Sequence, residues 1–210
     1  MTAGGFMQLE RPKRFFDALR AGLLGPSLST SEVAGCNALL TALAAWPESW
    51  TAYGMATAYH ESGHTMQPVR ECGSDAYLTR MYDPEGLRPE VAAKLGNTEP
   101  GDGIRFAGRG FVQLTGRGNY ARADAELKLS GVLLDNPDLA LTPSLAAKML
   151  ERGMREGWFT GRKLRDFLPV AGPATRAEFM AARRVVNGTD RADLIADYAL
   201  RFAEALEAGA

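Results

Sequence analysis

Both histidines of the chain fall in one pentapeptide, His60-Glu61-Ser62-Gly63-His64. H-E-x-x-H is the pattern in which two imidazoles one helical turn apart hold zinc while the carboxylate between them acts as a base. Ser62-Gly63 works against that use, because both are poor helix formers at the point where the helix must hold its ligands rigidly. With no third histidine, an acidic residue would have to complete the site. Glu61 also suits a different chemistry. It ends an apolar, alanine-rich stretch, where partial burial favours a protonated carboxyl able to act as a general acid. Glu71 follows ten residues later, beyond Gly63 and Pro68, and so on a separate piece of backbone. Two carboxyls in unlike environments, facing each other over a gap, are what glycoside hydrolysis requires. The plainer alternative is a buried, paired Glu61 and a solvated loop charge at Glu71.

A longer motif lies downstream, Phe106-Ala107-Gly108-Arg109-Gly110-Phe111-Val112-Gln113-Leu114-Thr115-Gly116-Arg117-Gly118-Asn119-Tyr120. Gln113, Thr115 and Asn119 are neutral donor–acceptor groups suited to hydroxyls and amides. Arg105, Arg109, Arg117 and Arg122 occur with no acidic residue between Asp102 and Asp124, which makes a local basic stretch. Gly108 and Gly110 permit a tight turn, and Arg109 either pairs internally or meets an anionic ligand. Asn187-Gly188 reads either as a helix stop or as a ligand contact.

Together with His60-Glu61-Ser62, this segment resembles the family 19 glycoside hydrolases, the chitinase-like enzymes that include many phage and prophage endolysins. Their pattern is a His-Glu pair, a second Glu soon after, then Gly-Arg-Gly, an aromatic or Pro, an aliphatic residue, Gln, Leu or Ile, Ser or Thr, and, after three intervening residues, Asn-Tyr. Asn136-Pro137-Asp138-Leu139 and Val185-Val186-Asn187-Gly188 are similar to later family segments in the same order, so the resemblance covers roughly residues 50–190. It implies that Glu61 is the general acid and Glu71 the general base of an inverting reaction. It further implies that Thr115 helps hold the attacking water. Gln113 and Asn119 would bind sugar hydroxyl or acetamido groups, with Tyr120 and Asn187 lining the cleft. Neither metal nor organic cofactor is implied. Gly63 stands where the chitinases carry Thr, and the Glu61–Glu71 spacing is closer to phage lysins. Both features favour peptidoglycan over chitin, with the basic stretch, Arg109 included, facing its stem-peptide and lactyl carboxylates.

The elements that must position these residues read as mostly helical. Phe15, Phe16, Leu19, Leu23 and Leu24 recur at helical spacing up to Gly25-Pro26. Ser29-Thr30-Ser31-Glu32 is a capping box opening a second helix that ends near Pro47, and a third runs from Trp50 to about Gly63. Residues 63–110 lack any apolar period and read as a Gly-rich irregular insertion. Phe111–Thr115 is a short alternating run, and Asn119–Leu129 is helical. Pro143 opens a helix carrying Leu145, Met149 and Met154 toward Trp158, with the methionines and tryptophan as core. Thr175–Glu178 is a second capping box, on a helix ending at Asn187-Gly188. Asp190 caps the last helix.

Composition bounds the rest. The chain has 210 residues, 46% hydrophobic and 23% charged, and a net charge of −1. That is a folded protein with a sizeable core and no global field toward nucleic acid or anionic membranes. No run approaches the ~18 apolar residues of a membrane span. Cys36 and Cys72 read as free thiols, and the charged Leu9–Lys13 stretch breaks any secretory signal, so synthesis is expected in the cytoplasm with action on the cell wall after release.

The expectation is a mainly α, lysozyme-like single catalytic domain spanning 1–210. Its helical lobe comprises about 1–62 and 111–210, with a smaller irregular lobe at about 63–110 and a central cleft. It would be an endolysin-type, monomeric glycosidase acting on the β-1,4 bonds of peptidoglycan glycan strands. A chitinase acting on β-1,4-linked N-acetylglucosamine, a zinc metallopeptidase using His60 and His64, and a non-catalytic sugar-binding component are the alternatives.

Overall fold

The computed structural model describes residues 9–210, so the reading of a missing secretory signal falls partly outside the described residues. The architecture is mainly helical. In chain order the elements are α1 (Pro12–Gly22), α2 (Thr30–Ala42), α3 (Glu48–Glu61), β1 (Val69–Arg70), α4 (Asp75–Tyr82), α5 (Pro89–Leu95), α6 (Asp102–Arg105), β2 (Arg109–Gly110), α7 (Arg117–Glu126), α8 (Val132–Asp135), α9 (Pro143–Glu156), α10 (Arg176–Ala182) and α11 (Ala192–Gly209). They fall into two compact units. One comprises the chain up to Gln67 together with Leu150–Ala210, and the other is Pro68–Met149. Among the described residues no helix is long and apolar enough to cross a membrane.

The first unit is organised on α3. Every residue from Ser49 to Tyr59 is buried, so this helix has no solvent face and reads as a central strut rather than an amphipathic one. Small residues allow it. Gly54 lets Trp46, Leu43 and Leu150 close on the helix, where a Cβ would stand 3.0 Å from the Trp46 ring. The long helix α11 packs against α1, α3 and α10, burying Ile195, Ala199, Phe202 and Leu206. Both capping boxes form as their sequences require, Ser29 with Glu32 and Thr175 with Glu178. The last helix is different. Arg191 takes the N-cap position in a left-handed conformation without a side-chain cap, and the Asp190 carbonyl instead accepts from Arg183 Nε at 3.0 Å.

The second unit corrects the irregular reading of 63–110. That stretch contains α4, α5 and α6, too short to show an apolar period, and each is held by local signals. Ser74 caps α4 through the Tyr77 N–H, and Arg88-Pro89 opens α5, which Gly96 closes in a left-handed turn. The compact unit also runs on to Met149, beyond the stretch read as a separate small lobe, because α7, α8 and the first half of α9 pack within it. Phe111–Thr115, read as an alternating run, is a turn; the ladder lies just before it. Val69 pairs with Gly110 and Arg70 with Arg109 in an antiparallel ribbon, and Arg109 also bridges Leu114.

Gly35 on α2 provides a test of the close packing in the first unit. A Cβ there would fall 1.7 Å from the Met66 carbonyl oxygen, a backbone atom that cannot rotate away. Gly35→Ala is therefore expected to lower stability by about 3 kcal/mol in chemical denaturation, despite alanine's better helix propensity. A neutral or stabilised variant would show that α2 and the Met66 turn are not in contact.

Candidate active site

The second unit assembles a polar cluster around Gly108. The β1–β2 ribbon continues one residue further, with the Glu71 N–H donating to the Gly108 carbonyl at 2.8 Å. This register turns the Glu71 carboxylate back over the partner strand, where Oε2 accepts from the Gly108 N–H at 3.2 Å. Oε1 accepts from the Tyr82 hydroxyl at 2.8 Å. Tyr82 is itself held by its carbonyl, which accepts from the buried Asn97 amide at 2.9 Å. Burial, together with the neighbouring Glu71 carboxylate, pushes the Tyr82 phenol up to about 12, so it remains a donor across the neutral range.

Thr115 and Gln113 complete the cluster. Gln113 adopts a left-handed backbone conformation, φ 51°, which folds the turn tightly enough for Arg109 and Leu114 to exchange hydrogen bonds. Its Nε2 donates to the Val69 carbonyl at 3.0 Å, and the Thr115 hydroxyl donates to the Gln113 carbonyl at 2.9 Å. Both donors are thus turned inward. A side chain beginning at Gly108 would meet Gln113 Oε1 at 2.7 Å, Thr115 Oγ1 at 2.9 Å and Glu71 Oε2 at 3.2 Å. Three acceptor oxygens converge on the one residue whose missing side chain leaves room for them. A group of acceptors of this kind calls for a donor such as water or a sugar hydroxyl.

Glu61 belongs to the first unit, as the last residue of α3. Its Oε1 accepts from Arg183 Nη1 at 2.6 Å, and Arg183 is only 2% exposed. Sequence reasoning missed this cation, which lies in a short 3-10 turn directly after α10. Glu61 is therefore both half-buried and paired with a buried cation. The helix stops here, because Ser62 and the left-handed Gly63 and His64 end it. His64 is consequently off the helix, stacked on Tyr59 with ring centroids 4.5 Å apart. The zinc-protease geometry of two imidazoles on successive turns of one helix does not form.

The remaining candidates separate by role. Arg109 is buried, and donates to Asp138 at 2.8 Å, to the Arg105 and Ala107 carbonyls and to the Tyr120 hydroxyl. Tyr120 is fully buried, and its hydroxyl donates to the Ala107 carbonyl at 3.0 Å. Both brace the turn from beneath and neither lines a surface. Asn119 donates to the Thr115 carbonyl at 2.6 Å, so it too fixes the turn. Asn187 is exposed and its side-chain Oδ1 accepts from the Gly188 N–H at 2.8 Å; the pair does not end the helix, which stops at Ala182 and is followed by a 3-10 turn to Val185. Two of the four arginines in the basic stretch pair with acids, Arg109 with Asp138 and Arg117 with Asp102. Arg117 makes a two-pronged pair with the buried Asp102 at 2.7 and 2.5 Å, and Arg105 donates to the Leu134 carbonyl. Asp83 is buried and accepts from the Gly101 and Gly103 N–H groups, whereas Asp75 is an exposed first-turn residue of α4. Cys36 is a buried free thiol raised to about 12 by burial, and Cys72 is an exposed one.

No protein-family model matches the chain, and no curated protein matches it by sequence. Its fold is similar to the crystal structure of chitinase C from Streptomyces griseus HUT6037, with a TM-score of 0.59 and 19% identity. The match covers 98% of this chain and 78% of that one. The likeness establishes a shared fold.

The tyrosines give a direct test of this packing. Burial raises Tyr53, Tyr59, Tyr82 and Tyr120 above the ordinary phenol value, Tyr82 and Tyr120 to about 12. Because the folded state holds these protons more tightly than the unfolded chain, their contribution is full below about pH 10 and is lost as the pH climbs toward 12. Absorbance titration should show four of the six tyrosines resisting ionisation until the protein unfolds. Normal titration of all six in folded protein would mean that the Tyr82–Glu71 and Tyr120–Arg109 contacts do not persist in solution.

Proposed function

We propose that the protein is a glycoside hydrolase that cleaves β-1,4 bonds of bacterial peptidoglycan, in the manner of an endolysin. The observation that carries this reading is the ring of acceptors at Gly108. A water that donates one hydrogen to Glu71 Oε2 and the other to Thr115 Oγ1 or Gln113 Oε1 presents its lone pair outward. Glu71, fixed at its other oxygen by Tyr82, then takes the water's proton as the oxygen attacks the anomeric carbon. Glu61 protonates the departing glycosidic oxygen, and the anomeric configuration inverts. That course requires the carboxyls about 6.5–9.5 Å apart in the working complex, leaving room for the water. Both proton transfers use only protein carboxyls and water.

Arg183 has a defined part in this scheme. As Glu61 gives up its proton it becomes an anion, and the guanidinium 2.6 Å away stabilises the charge as it forms. A second reading, chitin as substrate, is supported by the name of the structurally similar enzyme. Gly63 and the short Glu61–Glu71 spacing favour peptidoglycan.

Glu71→Gln and Glu61→Gln should each lower turnover on purified murein about 10²–10⁴-fold, the usual worth of a general base or acid. Glu61→Gln keeps an oxygen for Arg183 and so remains folded with some loss of stability. Thr115→Val should reduce kcat about tenfold with little change in KM, because the lost hydrogen bond belongs to the attacking water. Gly108→Ala places a methyl where that water must stand, and activity should fall with it. Activity measured side by side on murein and colloidal chitin separates the two substrates. A folded Glu71→Gln protein with near-normal activity on both would overturn the base assignment.

A further inference from the structure

In the second unit, two stretches about twenty residues apart in sequence meet backbone to backbone, and three glycines permit it. A Cβ at Gly116 would lie 2.5 Å from the Leu95 carbonyl oxygen, and one at Gly96 would lie 2.9 Å from the Gly118 Cα. A Cβ at Gly118 would stand 3.1 Å from that same Leu95 oxygen. The end of α5 is therefore seated directly on residues 116–118, which follow Thr115. Asn97 lies at this junction, is 3% exposed, and has both polar atoms of its side chain engaged. Its Nδ2 donates to the Tyr82 carbonyl at 2.9 Å, and its Oδ1 accepts from the Arg117 N–H at 2.8 Å. One short side chain thus bonds the end of α4 and the turn after Thr115.

Two buried carboxylates hold the same segment from the same two sides. Asp83, next to Tyr82, accepts from the Gly101 and Gly103 N–H groups at 3.2 and 2.6 Å. Asp102 accepts from the Thr98 and Glu99 N–H groups and from the Arg117 guanidinium. Residues 97–103 therefore form a bridge, pinned at Tyr82-Asp83 on one side and at Arg117 on the other. Each side carries one part of the cluster at Gly108. Tyr82 donates its hydroxyl to Glu71 Oε1 at 2.8 Å, and Thr115, two residues before Arg117, brings Oγ1 to the Gly108 position.

We propose that Asn97 is a positioning residue that sets the separation between Glu71 and Thr115, acting on Glu71 through Tyr82 and on Thr115 through Arg117. A side-chain amide suits the task, because it offers a donor and an acceptor on one rigid plane. The two bonds therefore constrain each other, and neither α4 nor the turn can shift without breaking one. Small shifts matter at such a place, since a misplacement near 1 Å can lower a rate by about 10²-fold. The effect on catalysis rests on the reading of Glu71 as the base, whereas the joint itself does not.

The test uses the full chain and two readouts. Asn97→Asp keeps the shape of the side chain and the acceptor for the Arg117 N–H. Protonated, the introduced carboxyl still donates to the Tyr82 carbonyl; ionised, it turns a negative oxygen on that carbonyl, and burial delays the ionisation to higher pH. On murein, the kcat of Asn97→Asp relative to the parent should be close to one at about pH 5. It should fall about ten- to a hundredfold by about pH 8, with KM unchanged. In the Tyr82→Phe background the same substitution should have little effect, because the link to Glu71 is already cut. Asn97→Ala introduces no charge and covers the case in which the carboxylate unfolds the chain. Absorbance titration of folded Asn97→Ala reads the joint without any activity, and one further tyrosine, Tyr82, should ionise in the ordinary phenol range. Parental kcat for Asn97→Asp at every pH, or a Tyr82 that still resists ionisation in Asn97→Ala, would overturn the proposal. Additive effects of Asn97→Asp and Tyr82→Phe would overturn the route through Tyr82. A released Tyr82 in a chain whose parent is inactive on glycans would keep the joint and remove its catalytic role.

Discussion

A guanidinium buried to 2% exposure is tolerable only beside a carboxylate, and the first unit is arranged to provide one. Arg183 emerges from the 3-10 turn after α10 and meets Glu61 where α3 ends. The pair fixes three things together. It anchors the last residue of the buried helix, ties the 183–191 loop down through the Asp190 carbonyl, and leaves the Glu61 carboxyl half-buried with one oxygen already engaged. Removing the Glu61 acceptor would leave the buried Arg183 cation uncompensated, at a cost of about 3 kcal/mol. The same interaction that holds the element in place defines the electrostatic setting of the residue assigned to acid chemistry.

The second unit works by the opposite means, an absence. Gly108 has no side chain, so Glu71, Gln113 and Thr115 can bring oxygens to a common point that any other residue would occupy. The braces lie beneath: Arg109 and Tyr120 satisfy one another and the Ala107 carbonyl, and the Asn97 amide fixes Tyr82. Arg109, Tyr120 and Asn119 thus spend their donors within the turn, whereas the oxygens of Glu71, Gln113 and Thr115 point to the place a Gly108 side chain would take.

Much of this was legible in the sequence. Capping boxes at Ser29 and Thr175 and the Pro at the start of α9 mark helices because their signals are local. Glu71, Gln113 and Thr115, which the motif singles out, do come together around Gly108. The short helices α4 to α6 were not legible, since helices of 8, 7 and 4 residues hold too few apolar positions to show a period. Nor were Tyr82, Asn97 and Arg183, whose importance arises from contacts 11, 15 and 122 residues away in sequence. The pairing of Arg109 and Arg117 was hidden for the same reason: Asp138 and Asp102 lie outside the window in which the arginines were read.

The central proposal is that a water held at Gly108 is added across a glycosidic bond. Digestion of murein sacculi in oxygen-18 water, with immediate borohydride reduction to stop exchange, followed by mass spectrometry of the fragments, reads the fate of that oxygen directly. Glycoside hydrolysis places one labelled oxygen on C1 of each new reducing-end sugar. Label in a peptide carboxyl instead, or release of fragments without label, would contradict it.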